Sequence, residues 1–565
     1  MLASEYSERI FLLACVECGL VITCRPQSNH ANRFSNATGA TNRVVSHMSK
    51  LFRSGMMISV MTLMSRVLGL VRDFVYANYF VMGSAMDAFL VAFRIPNLMR
   101  RLSAEGAFSL AFIPVLTEYR EQRSEQELKD LINHVSGMLT VILFSISLIA
   151  VIAAPILMMV FAPGFGTKPD AEPELAAYLL RITAPYMLFI SLAAFFSSIL
   201  NSFGNFAVPA FTPVLLNVVM IAAAIWWSPH FEQPVEALAW GVFLGGLAQG
   251  LFQLPYLQRL GLMPRFSFKK GHEGVSRILK LMAPALVGSS AAQLNITINT
   301  MIASLLASGS ISWLYFSDRF VEFPLALIGV AIGTVILPKL SGDHANAKGG
   351  DFGKTLDWAM RLSVLVSIPA TLGLIVLAVP ILATVIDNGV NGWRDVEMAS
   401  LSLMTYALGL PAFIMVKVLA PGFYSRQDTR TPVKIGLIAI AANIACNLVI
   451  VLPWYKLGYI GPHAGLALST AISGFVNAIL LFIGLSKLGL ISGAKGWPAY
   501  LTKIVVASIL MAVAVWLLNP DDTWWQASGI GLKVLALGGL VLAAMLAYLV
   551  AILLMGLRPR QLLKQ

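Results

Sequence analysis

Long apolar segments, separated by short polar stretches, recur along this 565-residue chain from about residue 52 to its end. A helix needs about 20 apolar residues to cross roughly 30 Å of hydrocarbon, and fourteen segments reach that length. The pattern therefore predicts an all-α polytopic membrane protein. The predicted spans cover residues 52–77, 85–116, 131–160, 176–200, 209–227, 237–256, 278–306, 311–337, 358–384, 401–423, 432–452, 464–485, 501–518 and 530–557.

The two halves of this pattern repeat each other. The segment Ile113–Thr117 recurs as Leu337–Ser341, and Asn201–Pro209 has a counterpart in Tyr424–Pro432 at nearly the same offset. Two six-span lobes are predicted, and because six is even both lobes enter the membrane in the same orientation. Spans 13 and 14 lie outside the repeat. Since lobes related in this way commonly enclose a substrate site near the middle of the bilayer, a central cavity is expected.

Composition and loop charges extend this picture. Hydrophobic residues make up 58% of the chain and charged residues 12%, which excludes a soluble globular protein. The formal net charge is +12, but the basic residues lie in short loops and not in a basic domain, so no nucleic-acid partner is predicted. Most of these loops fall on one side of the predicted topology. That side is the cytoplasm, and both termini are predicted to lie there.

Residues 1–47 do not fit the pattern. The apolar run Ile10–Cys24 has the length of a signal peptide, but it contains Glu17 and lacks a basic region before it. Residues 25–43 are polar and typical of a disordered segment. Met48 begins a sequence that looks like a natural start, so we expect residues 1–47 to be a dispensable extension.

Predicted spans 1, 2 and 8 each carry several charged side chains. In span 2, Asp87, Arg94 and Arg101 are seven residues apart and Glu105 follows four residues later, so all four lie near one face of a helix. Charge at membrane depth is expensive and usually functional, so this face must meet protein or water. Span 8 is the counterpart of span 2 in the repeat. The candidate site residues on spans 1, 2 and 8 are Ser65, Arg66, Arg72, Asp73, Asp87, Arg94, Arg100, Arg101, Glu105, Asp318, Arg319 and Glu322.

The positive charges in this set are all arginines. A guanidinium stays charged and offers a planar fork suited to two phosphate oxygens, so an anionic ligand is predicted. The carboxylates can hold the arginines apart when no ligand is bound. The alternative is that these groups are internal ion pairs that hold helices together: Arg66 and Asp73 are one heptad apart, and Arg319 lies within a turn of two carboxylates.

Several motifs resemble the lipid II flippases of the MurJ (MviN) family, within the multidrug/oligosaccharidyl-lipid/polysaccharide (MOP) exporter superfamily. The resemblance runs from about Met48 to the C-terminus. It implies a V-shaped, two-lobed transporter, not an enzyme, that moves lipid II from the inner to the outer leaflet of the bacterial inner membrane by alternating access. The motifs are Ser65–Gly69, Arg72–Asp73, Asp87–Phe89, Phe93–Arg101, Ala104–Phe108, Ala162–Phe165, Asp318–Pro324 and Ala420–Asp428.

The resemblance also implies roles for individual residues. Arg94 stands where a lysine is familiar in the family, which keeps the charge. Supporting or switching roles fall to Ser65, Asp73, Asp318 and Glu322. Substrate-binding roles carry over to Arg66, Arg72, Asp87, Arg94, Arg100, Arg101, Glu105 and Arg319.

The expected partners are lipid II, membrane lipids, and cell wall synthesis or division proteins. No cofactor is expected, and the driving force is membrane potential or a monovalent ion. Asn443 and Asn447 are four residues apart on span 11 without a carboxylate on that helix, which favours interhelical amide bonding over a sodium site. The isolated Cys15-x-x-Cys18 pattern lacks a second pair, so no metal site is predicted.

The predicted organisation has two pseudo-symmetric lobes, about 14 transmembrane helices and a central cationic cavity. Its parts are the extension (1–47), the first lobe with spans 1–6 (48–258), a basic cytoplasmic linker (259–277), the second lobe with spans 7–12 (278–488), spans 13 and 14 as a groove for the lipid tail (497–557), and a cytoplasmic tail (558–565).

Two other functional classes are weighed against this one. A drug or cation antiporter of the same superfamily would need a cavity dominated by carboxylates, which the arginine excess argues against. A polytopic glycosyltransferase would need large loops with acidic catalytic residues. The longest predicted outer loops, residues 164–174 and 388–397, are too short for that.

Overall fold

A computed structural model describes residues 57, 59–102, 108–267, 271–345, 349–387, 389–491 and 496–557. The chain divides into two compact units, Met1–Val60 and Met61–Gln565. The expectations for residues 1–47, for Glu105 and for the tail after residue 557 lie outside the described residues. Within those ranges the chain is helical apart from its connections and one isolated bridge between Asp387 and Asn391, which confirms the all-α prediction.

The helices follow one another in the order expected from the apolar segments. They are α1 (residues 61–79), α2 (Ser84–Leu102), α3 (Phe108–Gln122), α4 (Glu125–Ile152), α5 (Ala154–Phe161), α6 (Pro173–Thr183), α7 (Tyr186–Ser202), α8 (Ala207–Ala222), α9 (Val235–Arg259), α10 (Glu273–Leu305), α11 (Ser310–Ala345), α12 (Gly349–Val376), α13 (Ala378–Val385), α14 (Trp393–Leu408), α15 (Leu410–Tyr424), α16 (Arg430–Cys446), α17 (Leu452–Lys456), α18 (Pro462–Lys487), α19 (Trp497–Leu518), α20 (Asp522–Ala527) and α21 (Ile530–Leu554).

Ten helices in the described part of the chain are long and apolar enough to cross a membrane. They coincide with predicted spans 3 to 6 and 9 to 14. Spans 1, 2, 7 and 8 correspond to α1, to α2 with α3, to α10 and to α11. Spans 1, 2 and 8 carry the charged candidate residues, and spans 1 and 2 are only partly described. The total of fourteen crossings therefore stays a prediction.

The internal repeat is visible in the helix boundaries. The short helices α5 and α13 begin 224 residues apart, and so do α7 and α15. Spans 5 and 11 each contain a π-helical turn, Ala223–Trp227 and Asn447–Val451, at the same offset. Since π turns are rare, their recurrence at equivalent positions supports two related six-span lobes.

Prolines mark the breaks within spans 4 and 10. The helix α6 ends one residue before Ala184-Pro185, and α15 begins directly before Pro411. Proline has no amide hydrogen and clashes with the carbonyl four residues earlier, so a continuous helix is interrupted there. The two breaks again occupy related places in the two lobes.

Spans 13 and 14 attach to the second lobe. The helices α19 and α21 pack on each other, α19 also packs against α12, and α21 against α13. Polar contacts join them to the lobe: Lys533 donates to the Asp387 carboxylate over 2.7 Å, the Trp497 indole donates to Asp357 over 2.7 Å, and the Tyr500 and Tyr548 hydroxyls donate to carbonyls of α12. The outward sides of both helices carry exposed Leu, Val and Ile side chains, as expected for helices that face lipid.

Candidate substrate cavity and its closure

A cavity of about 370 Å³ lies between the two lobes. Its walls come from α2 of the first lobe and from α10, α11, α14, α15 and α18 of the second. The helix α2 contributes charged side chains because residues seven apart return to nearly the same face. The polar lining residues are Arg94, Asn97, Arg101, Gln293, Asn295, Thr297, Asn299, Thr300, Tyr315, Asp318, Arg319, Glu322, Tyr406 and Thr470.

Five of the predicted site residues line this one cavity. Arg94 and Arg101 come from α2, and Asp318, Arg319 and Glu322 come from α11. Three guanidinium groups therefore face two carboxylates, which leaves a formal excess of one positive charge. Such a cavity can accept an anionic group. When no anion is bound, the two carboxylates can balance two of the three positive charges.

The arginines of the cavity are held by neighbours with oxygen acceptors. Arg94 donates to the Thr300 hydroxyl, and Arg319 donates to Glu322 over 2.8 Å. The Arg319 guanidinium also lies 4.8 Å from the centre of the Tyr315 ring. These contacts fix the orientation of two cations that would otherwise repel each other.

A buried ion network joins α1 to α11 at one end of the cavity. The Asp73 carboxylate lies 3.4 Å from Arg319 Nε and accepts a hydrogen bond of 2.9 Å from the Tyr315 hydroxyl. Asp73 also accepts from its neighbour Arg72 over 2.7 Å. Arg72 in turn donates to Asn217 over 3.1 Å. The network therefore links spans 1 and 5 of the first lobe with span 8 of the second.

Asp87, on α2 of the first lobe, caps the start of α11 in the second lobe. Its carboxylate accepts from the Gly309 amide over 2.8 Å, the Ser312 amide over 2.8 Å and the Ser312 hydroxyl over 2.6 Å. The first amides of a helix have no partner within it, and the N-terminal end of the helix dipole favours a negative charge. Asp87 thus caps a helix of the second lobe, although it belongs to α2 of the first lobe.

Asn391 binds the turn between α1 and α2. Its side-chain oxygen accepts from the Met82 amide over 2.7 Å, and its side-chain nitrogen donates to the carbonyls of Ala77 over 2.7 Å and Phe80 over 3.0 Å. These contacts join the connection before α14 to the last turn of α1 and to the turn that follows it. Three of the four hydrogen-bonding positions of this buried amide are used, so the turn is held in register with the second lobe.

Gly164 supplies a close backbone contact between the lobes at this same end. Its amide donates to the Ser304 hydroxyl over 3.1 Å. A Cβ atom at Gly164 would lie 1.9 Å from the Ser304 carbonyl oxygen, so any other residue would force the backbones apart. We call the interlobe contacts of Asp73, Asp87, Gly164 and Asn391 the closure cluster.

The other predicted site residues within the described ranges lie outside the cavity lining. Arg66 is exposed on α1, and the Ser65 carbonyl accepts from Asn217 over 3.0 Å. Arg100 donates to Asn97 over 2.9 Å. Arg72 belongs to the ion network and Asp87 to the helix cap of the closure cluster. Of the described residues in the predicted substrate set, some therefore line the cavity, some lie in interlobe contacts, and Arg66 and Arg100 belong to neither group.

An amide network lies beside the cavity. Asn447 donates to Asn443 over 3.1 Å and to Asn299 over 2.9 Å, and Asn299 donates to Thr470 over 3.0 Å. Because these residues lie on spans 11, 7 and 12, the predicted interhelical amide bonding is confirmed.

Several residues of the site escaped the sequence analysis. Tyr315 lies one turn before Arg319 on the same face of α11, and this spacing could have revealed it. Asn217 is a lone polar residue in an apolar span, which is a weak signal for an interhelical partner. Asn391 has no signal in the sequence, because it stands in a short polar connection.

The chain is similar to proteins of one family over most of its length. The family model "Lipid II flippase MurJ" matches residues 76–528. The chain is 45% identical over 520 residues to the probable lipid II flippase MurJ of Vibrio cholerae serotype O1, covering 91% of this chain and 98% of that protein. It is 42% identical over 466 residues to the lipid II flippase MurJ of Burkholderia cenocepacia, covering 82% of this chain and 89% of that one.

Two solved structures share this fold. The lipid II flippase MurJ in an inward closed conformation superposes with a TM-score of 0.72 at 25% identity, covering 88% of this chain and 98% of that chain. An inward-facing multidrug resistance MATE family transporter of the MOP superfamily gives a TM-score of 0.61 at 14% identity, covering 77% and 98%. The second likeness concerns the fold alone.

Proposed function

This chain belongs to the lipid II flippase MurJ family, and we propose that it translocates lipid II, the undecaprenyl-pyrophosphate-linked peptidoglycan precursor, from the inner to the outer leaflet of the bacterial inner membrane. It acts as a transporter and not as an enzyme. The observation that carries the proposal is the interlobe cavity, in which three arginines face two carboxylates beside a closed end.

A polar route is what this substrate requires. A pyrophosphate headgroup cannot cross about 30 Å of hydrocarbon unaided, whereas its lipid tail can stay in the bilayer. Arg94, Arg101 and Arg319 receive the pyrophosphate, and the glycan and peptide occupy the amide-lined remainder of the cavity. The tail follows the groove of spans 13 and 14, whose exposed apolar side chains match lipid.

Transport proceeds by alternating access between the two lobes. In the conformation described here the closure cluster holds the lobes together at the end formed by the α1–α2 and α10–α11 turns. Release on that side requires the hydrogen bonds of Asp87 and Asn391 to separate. Asp318 and Glu322 then pair with arginines that the pyrophosphate leaves, so two of the three positive charges of the cavity are balanced after release.

Membrane potential drives the outward step in this proposal, and no bound cofactor takes part. Moving one negative charge from the negative inside to the outside is favourable by about 2.3 kcal/mol per 100 mV, and a pyrophosphate carries at least one such charge. Lipid II and the surrounding lipids are the partners of the transport step. Cell wall synthesis or division proteins are the proposed users of the product.

Depletion of the protein tests the substrate and direction together. The test uses cells in which this protein is the only lipid II flippase. When the protein is depleted, lipid II should become inaccessible to a probe confined to the periplasm, and re-expression should restore access. Collapse of the membrane potential should reduce access while the protein is present. Unchanged access after depletion, with the protein shown to be absent, would overturn the proposed function.

Both termini lie in the cytoplasm in the proposed topology. A reporter active only in the periplasm should be silent when fused after Gln565 and active when inserted near Asp521, in the connection between α19 and α20. A cytoplasmic reporter should give the opposite pattern at both places. Periplasmic activity at Gln565 would mean that the number of crossings is odd or that the orientation is reversed.

A further inference from the structure

Two histidines and an aspartate converge away from the cavity, where α4 meets the start of α10. In the part of the chain that the structure describes, Asp130, His134 and His272 offer one ligand atom each, all within 4.8 Å of one another. The histidine rings lie 4.8 Å apart between their centres. We propose that this group is a binding site for a divalent transition-metal ion of the Zn²⁺ class.

The sequence positions of the three residues explain their convergence. Asp130 and His134 are four residues apart near the start of α4, so they share one face of that helix. His272 is the N-cap residue of α10 and comes from the segment that connects the two lobes. The residues come from two separate parts of the chain, which is why no spacing rule indicates the site.

The hydrogen bonds of His134 match those of a metal ligand. Its Nδ1 lies 2.7 Å from the Asp130 carbonyl oxygen and donates to it, which leaves the lone pair on Nε2. Metal-binding histidines usually donate their other ring nitrogen to a carbonyl or carboxylate in this way, because the bond fixes the ring and the tautomer. The Ser267 hydroxyl lies 3.3 Å from Nε2, in the direction along which Nε2 would bind a metal ion.

His272 supplies a second imidazole nitrogen with a lone pair. Its Nδ1 accepts a hydrogen bond of 3.1 Å from the Gly274 amide, so that nitrogen carries no proton. A metal ion would take the lone pair that Gly274 now uses, at the expense of one capping hydrogen bond.

The donor set selects the class of ion. Two imidazole nitrogens and one carboxylate suit Zn²⁺ and its neighbours, whereas Mg²⁺ and Ca²⁺ prefer oxygen ligands. Ligand bonds of about 2.0–2.2 Å require the donors to approach each other more closely than they do here, so binding draws Asp130 inward. The Asp130 side chain is 56% exposed and its carboxylate lies 3.7 Å from His134 Nδ1, while the His134 side chain is 11% exposed. Water completes the coordination.

Metal titration of the full-length protein tests the site. Purified in detergent without a polyhistidine tag and stripped of metal, the protein should bind one Zn²⁺ per chain at this group by calorimetry. His134→Gln and His272→Asn should each weaken binding by more than the roughly tenfold that loss of an outer-sphere partner costs. Asparagine is a good N-cap, so His272→Asn keeps the acceptor for the start of α10 and allows folding.

The matched control is His230→Asn, which changes an exposed histidine outside the group. This variant should bind Zn²⁺ like the parent protein, and excess Mg²⁺ should not displace the ion. Co²⁺ bound to the parent protein should show the visible absorption of a four-coordinate site, and His272→Asn should remove it. Absence of stoichiometric binding, or equal affinity in the parent, His134→Gln and His272→Asn proteins, would overturn the proposal.

Discussion

Asp87→Ala should abolish lipid II translocation while the protein remains folded in the membrane. The substitution removes the acceptor of three hydrogen bonds at the start of α11 and leaves the Gly309 and Ser312 amides without their partner. Hydrogen bonds to a charged group contribute about 1.5–3 kcal/mol each. Loss of even 3 kcal/mol would shift the equilibrium between the closed and open ends roughly a hundredfold.

The shift can be measured directly. A cysteine at Asn97, within the cavity and in a background without other cysteines, should be labelled by a membrane-impermeant thiol reagent from the periplasm faster in Asp87→Ala than in the parent protein. Asp87→Asn should give an intermediate rate, because one oxygen still accepts but the amide nitrogen faces a donor.

Glu174→Ala is the control, since Glu174 is an exposed carboxylate at the start of α6 on the same predicted side. It should leave both labelling and translocation unchanged. Equal labelling of Asp87→Ala and the parent protein would show that Asp87 does not hold the lobes together.

The membrane spans were the part of the fold that the sequence predicted best. Predicted spans 6 and 12 contain no charged residue, and each reaches the length of about 20 apolar residues that a helix needs to cross the hydrocarbon. The charged spans are harder, because a charge inside a helix interrupts the hydropathy signal that identifies the crossing. Span 2 is an example. The sequence predicts one segment over residues 85–116, and the structure describes α2 and α3 within it, while residues 103–107 lie outside the described ranges.

Part of the site was predictable for a physical reason. Arg94 and Arg101 are seven residues apart and therefore share one face of a helix. The internal repeat makes α11 the counterpart of α2, so the residues that line the cavity could be inferred from the sequence. The division between cavity and closure was not predictable. Whether Asp87 faces a ligand or caps Gly309 depends on how the two lobes meet, and neither periodicity nor charge count carries that information.

Arg101→Lys should impair translocation almost as much as Arg101→Ala, although it keeps the charge. Lysine presents one ammonium in place of a planar fork, so a bidentate contact to the pyrophosphate becomes a single one. Each charge-assisted hydrogen bond lost from this partly desolvated cavity should cost about 1.5–3 kcal/mol of binding. The measurement is lipid II access to a periplasmic probe, normalised to the amount of protein in the membrane.

Arg319→Lys should also impair lipid II translocation, and it can do so in two ways. It removes a forked contact to the pyrophosphate, and it weakens the contacts of Arg319 with Asp73 and Glu322. The thiol-labelling assay separates them: faster periplasmic labelling indicates a weakened closure cluster, and unchanged labelling indicates a lost phosphate contact. Arg101 lines the cavity on the other lobe, so its lysine variant should lose translocation without faster labelling.

Arg123→Lys provides the matched control, because Arg123 makes a solvent-exposed ion pair with Glu127, and exposed ion pairs contribute little to stability. It should translocate lipid II like the parent protein. The predicted phosphate contacts include Arg66, which is exposed outside the cavity lining, and Arg66→Lys belongs in the same series. If alanine at Arg66, Arg101 and Arg319 left translocation intact, these residues would be structural and the substrate would bind elsewhere. If lysine restored full activity at Arg101, the cavity would recognise charge without the forked geometry of a guanidinium.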